Sequence, residues 1–258
     1  MDRTGSDHQV RFGEMVTVAA RSIGGAWPVF LMAWAARGMV EAIQPILRMA
    51  HVTAAPRLGF DPTQTAVGAV IGAATATVSG LLIRWLIERR ATALRLDLRL
   101  AGYVGLMVAW ALVSVGVTLA VAPHPRDLGS HDIMVQMGLF NVEALALPLI
   151  AAALALWPIS VLLGDQLTPL RALRWMSQAY GAFLLAGILL ALPSVVLAMI
   201  QAAGGHLPRS PTDRLWMLAL SSLTTTVSTF ILAQVYSRRI RGTDLAASGS
   251  SAGALASA

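Results

Sequence analysis

The chain has 258 residues, of which 56% are hydrophobic and 12% charged, and its formal net charge is +6. Soluble domains carry about 25% charged residues, so there is too little polar surface here to clothe a water-soluble globule. The absence of cysteine closes off disulfides, thiolate nucleophiles, iron–sulfur clusters and cysteine-ligated zinc.

The mean hydropathy of +0.68 agrees with a partly lipidic solvent, and the pI of about 11.1 does not point to nucleic acid. All 19 basic residues are arginine. They form no single stripe or arm but sit in small groups between apolar stretches, the pattern of a positive-inside bias. No nucleic-acid partner is expected. The fold class expected is all-α: a polytopic transmembrane bundle of about six spans, with interfacial amphipathic helices before spans one and five.

The N-terminal segment MDRTGSDHQVRFGE is polar and contains acids. It lacks the basic n-region and short h-region of a cleaved signal peptide, so the first span is read as a retained anchor. A span takes roughly 20 apolar residues, because about 30 Å of hydrocarbon is crossed at 1.5 Å per residue. Six stretches qualify: about 24–46, 63–86, 100–122, 139–163, 180–202 and 215–236. Pro28, Pro148, Pro158 and Pro193 fall inside them, where neighbouring helices can satisfy the carbonyls that proline leaves unbonded.

Residues 1–241 are read as one integral membrane domain. The Ser/Ala/Gly-rich remainder, 242–258, cannot bury enough surface to order itself and is expected to be a disordered tail. Arginine counts set the orientation. Thirteen arginines fall on the side of the two termini and six on the other, with Arg37 counted among the six. Both termini are therefore expected in the cytoplasm, in a bacterial inner membrane.

Two segments share a pattern, AARSIGGAWPVFLMA at 19–33 and ALRWMSQAYGAFLLA at 172–186. Offset by 153 residues, Arg21 meets Arg174, Ala26 meets Ala179, Trp27 meets Tyr180, Phe30 meets Phe183 and Leu31 meets Leu184. Each reads as a short amphipathic helix lying on the membrane surface and leading into a span. Arginine would face anionic headgroups there, with an aromatic ring at the boundary. The interfacial contacts expected are Arg21, Trp27, Arg171, Arg174, Trp175 and Tyr180. A true repeat of this unit would make a duplicated three-plus-three bundle.

These segments also carry a family resemblance. FGEMVTVAARSIGGAWPVFLMA at 12–33 resembles the opening of YciC-like proteins and of the membrane domain attached to some glycerophosphoryl diester phosphodiesterases. LTPLRALRWMSQAYGAFLLAG at 167–187 is similar to that group's second entry, matching at Pro169, Ala172, Leu173 and Arg174. The group's Ser-Trp pair is not reproduced; Trp175 follows Arg174 directly and Ser177 comes later. The resemblance implies a six-span bundle and little about activity, since the phosphodiesterase chemistry belongs to a separate soluble domain.

Within the spans, Glu143 follows Asn141 at the start of the fourth, and Arg37 and Glu41 lie four residues apart on the first. An intramembrane charge is a candidate functional group by default. Arg37, Glu41, Asn141 and Glu143 thus form the candidate polar site, in which Arg37 pairs with Glu41 or Glu143 and binds an anionic headgroup. The alternative puts Glu143 hydrated at the outer interface and Arg37–Glu41 as a snorkelling pair near the outer surface.

Gly68, Gly72, Ala76 and Gly80 repeat every four residues along the second span, a stripe suited to close helix packing. In the sixth span, SSLTTTVST at 221–229 offers hydroxyls that line a polar path or bond back to their own helix.

His124, His131 and Asp132 share one loop without a known metal spacing, and GSSAG at 249–253 lacks the strand–turn–helix context of a nucleophile elbow. No catalytic residue, metal or cofactor is assigned. The function expected is non-enzymatic membrane organisation through lipid or partner binding. A transporter or channel subunit for a small or anionic solute is the second reading, and an intramembrane lipid-acting enzyme the third. Expected partners are membrane lipids, other membrane proteins or a second copy of the chain.

Overall fold

A computed structural model describes residues 12–50, 62–88, 94–121, 146–165, 167–203 and 211–242. These residues are helical throughout apart from short turns, with no strand among them. Four helices are each long and apolar enough to cross a membrane, and the number rises to six when each of two bent helix pairs is counted as one span. The protein is a multi-pass helical membrane protein.

The first bent pair is α1, Phe12–Gly25, and α2, Trp27–Ala50, which meet at 94°. Gly24 and Gly25 weaken the end of α1, and Pro28 has no N–H to return to the Gly24 carbonyl, so the helix cannot run straight through. Then come α3, Pro62–Glu88, α4, Leu98–Val121, and α5, Ala146–Leu163. A turn at Ala155 interrupts α5. Pro158 lies just beyond it and leaves the Leu154 carbonyl without its helical donor. Gly164 ends α5 in the left-handed conformation at φ 74°, which a side chain would strain.

The second bent pair is α6, Pro169–Ser177, and α7, Tyr180–Ala203, which meet at 78°. Thr168 caps α6, its side chain accepting from the Arg171 N–H, with proline following at N1, as helix starts favour. The last helix, α8, Pro211–Tyr236, continues into a π-helical turn, Ser237–Arg241.

α8 is the central post. It packs against α1, α2, α3, α5 and α7, and Phe230, Ile231, Ala233, Val235 and Tyr236 are all buried. Phe30 of α2 stands edge-on to Phe230, ring centroids 5.6 Å apart, and stacks on Trp27 at 5.9 Å. The outer faces of α4 and α7 expose Leu112, Val113, Ile188, Leu189, Val195 and Val196, a cost in water and a gain against lipid.

The two elbows are built alike. In the first, Ala26 N–H donates to Ile23 O at 3.1 Å and Phe30 N–H to Ala26 O at 2.9 Å. In the second, Ala179 N–H donates to Met176 O at 2.9 Å and Phe183 N–H to Ala179 O at 2.8 Å. These are the residue pairs that the 153-residue offset superimposes. Both alanines are sealed, at 2% and 0% exposure, so each bend closes on a methyl group with no room for more.

Candidate functional site

Two polar regions stand out, one across an end of the bundle and one inside it. At the end, α1 and α6 lie where α2 and α7 begin and where α3, α5 and α8 finish. Ion pairs stitch this end together. Arg84, near the end of α3, is only 4% exposed. Its Nη2 donates to both Asp97 carboxylate oxygens at 2.8 and 2.7 Å, Nη1 donates to Arg95 O at 3.1 Å and Nε to Leu162 O at 3.3 Å.

One guanidinium thus ties α3 to the start of α4 and the end of α5. Asp97 Oδ1 also accepts from the Leu100 N–H at 2.9 Å, capping α4. The Arg84 hydrogen bonds, together with that cap, hold the Asp97 carboxyl below the usual carboxylate value.

After α8, Arg241 grips Asp165 at 3.1 Å, and Tyr236 donates to the same carboxylate at 2.7 Å. Arg238 reaches Glu14 of α1 at 2.6 Å. Around these pairs Arg21, Arg171 and Arg174 remain exposed, as do Trp27 at 53% and Trp175 at 41%. The expected interfacial set therefore lies on one end of the molecule. Tyr180 differs from the rest: its hydroxyl donates to Leu149 O of α5 at 2.9 Å, pinning the second elbow to a neighbouring span.

Inside the bundle is Arg37, 1% exposed. It is neither a snorkelling side chain near the outer surface nor a loop residue, so it leaves the orientation count. At 1.5 Å per residue it lies about 15 Å along α2 from Trp27. It is held there because α2 packs against both α3 and α8, each of which turns hydroxyls toward it. Nη1 donates to Thr226 Oγ1 at 3.4 Å and to Thr229 Oγ1 at 3.5 Å, both long for hydrogen bonds, and Nη2 donates to Ser79 Oγ.

Each of those hydroxyls has already committed its proton to the carbonyl four residues back. Thr226 donates to Ser222 O at 2.7 Å, Thr229 to Thr225 O at 2.8 Å and Ser79 to Thr75 O at 2.7 Å. Their oxygens therefore face the cation as acceptors only. Of the two readings of the SSLTTTVST string, the structure shows the bond back to its own helix, at Ser222, Thr225, Thr226 and Thr229, and Ser79 is a ligand that sequence inspection had no signal for.

Dipoles solvate this guanidinium but do not neutralise it. Among the described residues no carboxylate lies within ion-pair distance of Arg37, and its Nε is buried with no hydrogen-bond partner. Glu41 lies one turn further along α2 and makes no ion pair with it. The expected Arg37–Glu41 pair is therefore a through-space neighbour and not a contact. Asn141 and Glu143 lie outside the described residues, as do His124, His131 and Asp132.

The small-residue stripe is used at one end only. A Cβ on Gly80 would meet Leu100 Cδ1 at 2.7 Å and the Tyr103 ring at 3.1 and 3.2 Å, whereas one on Gly68 or Gly72 would meet nothing within 4 Å. Ala76 is buried. The close α3–α4 approach at Gly80 thus delivers Tyr103 to the interior.

Beside it lies an apolar cavity of about 470 Å³, whose lining includes Tyr103, Trp110, Val113, Ala151, Trp157 and Phe183. Among the described residues no group of three metal-ligating side chains occurs. Comparison with protein-family models, curated proteins and solved structures found no match.

Proposed function

We propose that the chain is a non-enzymatic inner-membrane protein that binds and organises anionic lipid at its arginine-rich end, with both termini in the cytoplasm. The observation that carries this reading is the pair of elbows, bent by 94° and 78°. They lay α1 and α6 across the same end of the bundle. Arg21, Arg171 and Arg174 stay exposed there while Arg84, Arg238 and Arg241 are spent on internal ion pairs. Exposed arginines beside Trp27, Leu170 and Trp175 match the chemistry of a headgroup layer over an acyl boundary. The likeness of the two entry segments to YciC-like proteins belongs to the same proposal and bears on the six-span bundle alone.

Each arginine near an anionic surface contributes about 1 kcal/mol, so replacing all three by glutamine is expected to weaken retention of anionic lipid on the order of a hundredfold. The measurement is native mass spectrometry of protein released from nanodiscs of phosphatidylcholine with or without phosphatidylglycerol. Equal retention of both lipids by the wild-type chain would sink the reading. Because the chain has no native cysteine, single cysteines at Ser6 and Ser248, labelled from one face of oriented membranes, test the side on which the termini lie.

A further inference from the structure

The apolar cavity and Arg37 are two features with one residue in common. Tyr103 lines the cavity, is 4% exposed and packs its ring on Gly80 of α3, the residue after Ser79, whose hydroxyl accepts from Arg37. It brings the one hydroxyl among the lining residues. The remaining lining is hydrocarbon or aromatic, and the volume of about 470 Å³ falls within the roughly 300–1,000 Å³ of small-molecule sites, which are mostly apolar with a few placed polar groups.

Arg37 adds a cation that three acceptor hydroxyls solvate and that no carboxylate contacts among the described residues. One of its donors, Nε, is buried and unused. A buried charge is expensive when left uncompensated, and the least costly complement is an anion brought in with a hydrophobic body that the cavity accepts.

We propose that the cavity between α3, α4, α5, α7 and α8 binds the hydrocarbon tail of a single-chain anionic amphiphile, with its acidic head drawn to the Tyr103–Arg37 side. The shared chemistry is an oxyanion on an alkyl chain, supplied either as a free fatty acid or as a lysophospholipid. This site uses none of Arg21, Arg171 and Arg174, so it stands or falls separately from the surface reading.

The test uses the full chain in neutral detergent and native mass spectrometry with three probes: oleate, oleoyl-lysophosphatidic acid and the uncharged oleyl alcohol. One amphiphile is expected per chain, with the alcohol binding about ten- to a hundredfold more weakly, the worth of a charge-assisted hydrogen bond. Arg37→Gln is expected to erase the preference for charge, and Arg37→Lys to retain most of it. Ala151→Phe, which fills the cavity while leaving Arg37 in place, is expected to lose all three probes.

A preference for oleate identifies a carboxylate source and a preference for the lysophosphatidic acid a lipid one. Equal binding of the alcohol and the acids by the wild-type chain would overturn the proposal. So would unchanged binding in Ala151→Phe, whose folding is checked independently by its thermal transition.

Discussion

Arg84 and Asp97 are thirteen residues apart in sequence and 2.7 Å apart in space, and the pair closes the corner between α3 and α4. Its two halves sit in different surroundings: the Arg84 side chain is 5% exposed and that of Asp97 43%. The desolvation cost therefore falls mainly on the arginine, which offsets it with two carbonyls as well as the carboxylate. Asp97→Asn keeps the cap on α4 and removes the charge, and is expected to cost up to about 1 kcal/mol. Asp97→Ala also loses the cap, for about 1–2 kcal/mol in all.

The pH dependence of this corner has a definite sign. The folded-state carboxyl of Asp97 is held below its ordinary value of 3.8, so its contribution is fully present above that value and fades as pH falls through the lower folded-state one. Thermal unfolding in detergent should show the wild type above Asp97→Asn at pH 7, with the two converging below about pH 4. A gap that persists unchanged at the acid end would remove the ion pair as its cause.

The elbows carry a second expectation. Ala26 and Ala179 are both sealed at the bend and bonded in register. Replacing either with leucine adds three carbons where only a methyl fits, at about 1–3 kcal/mol of overpacking. The control is Gly181→Leu, at the second residue of α7, an exposed position with nothing near its Cβ, where any loss should be smaller. Equal losses at Ala179 and Gly181 would mean that the bend is not a packed joint.

The elbows and spans were legible in the sequence because both depend on local signals. Twenty apolar residues announce a span, and an amphipathic turn with arginine followed by a ring announces an entry helix. The start of α7 at Tyr180 and the end of α8 at Tyr236 lie where hydropathy placed them. The depth of Arg37 was not legible.

Its solvation comes from Ser79 on one helix and Thr226 and Thr229 on another, and composition carries no record of which helix faces which. The same holds for Arg84. It reads as one more arginine of a basic connector, until Asp97 and the Leu162 carbonyl are seen to meet it. The Asp165–Tyr236–Arg241 cluster joins residues from opposite ends of the second half and has no local signature at all.

The stripe on α3 separates helix packing from mere glycine content. Gly80→Ala places a Cβ 2.7 Å from Leu100 Cδ1 and just over 3 Å from the Tyr103 ring. Both neighbours are buried, so neither can swing clear. A loss of about 1–3 kcal/mol is expected, together with a shift in the fluorescence of the Trp110 side of the cavity as α4 is pushed outward. Gly72→Ala meets nothing and is expected to be neutral or stabilising by up to about 1 kcal/mol, because alanine restricts the unfolded chain. Matching losses at the two positions would mean that α3 and α4 do not approach at Gly80 as described.

Arg37 offers the sharpest contrast between stability and function. A guanidinium held only by hydroxyls, through two long hydrogen bonds to Thr226 and Thr229 and one to Ser79, with Nε unsatisfied, returns little of its desolvation cost. Arg37→Met keeps much of the volume and removes the charge, while Ser79, Thr226 and Thr229 keep their bonds to their own helices. The variant is therefore expected to unfold at an equal or higher temperature than the wild type, by up to a few kcal/mol of added stability, as seen when buried ionic groups elsewhere are exchanged for packed apolar ones. A residue whose removal stabilises the bundle is retained for what it binds. A fall of 3 kcal/mol or more, the size expected when a partner is left behind with an orphaned buried charge, would make Arg37 a structural strut with a carboxylate neighbour and withdraw it from the binding site.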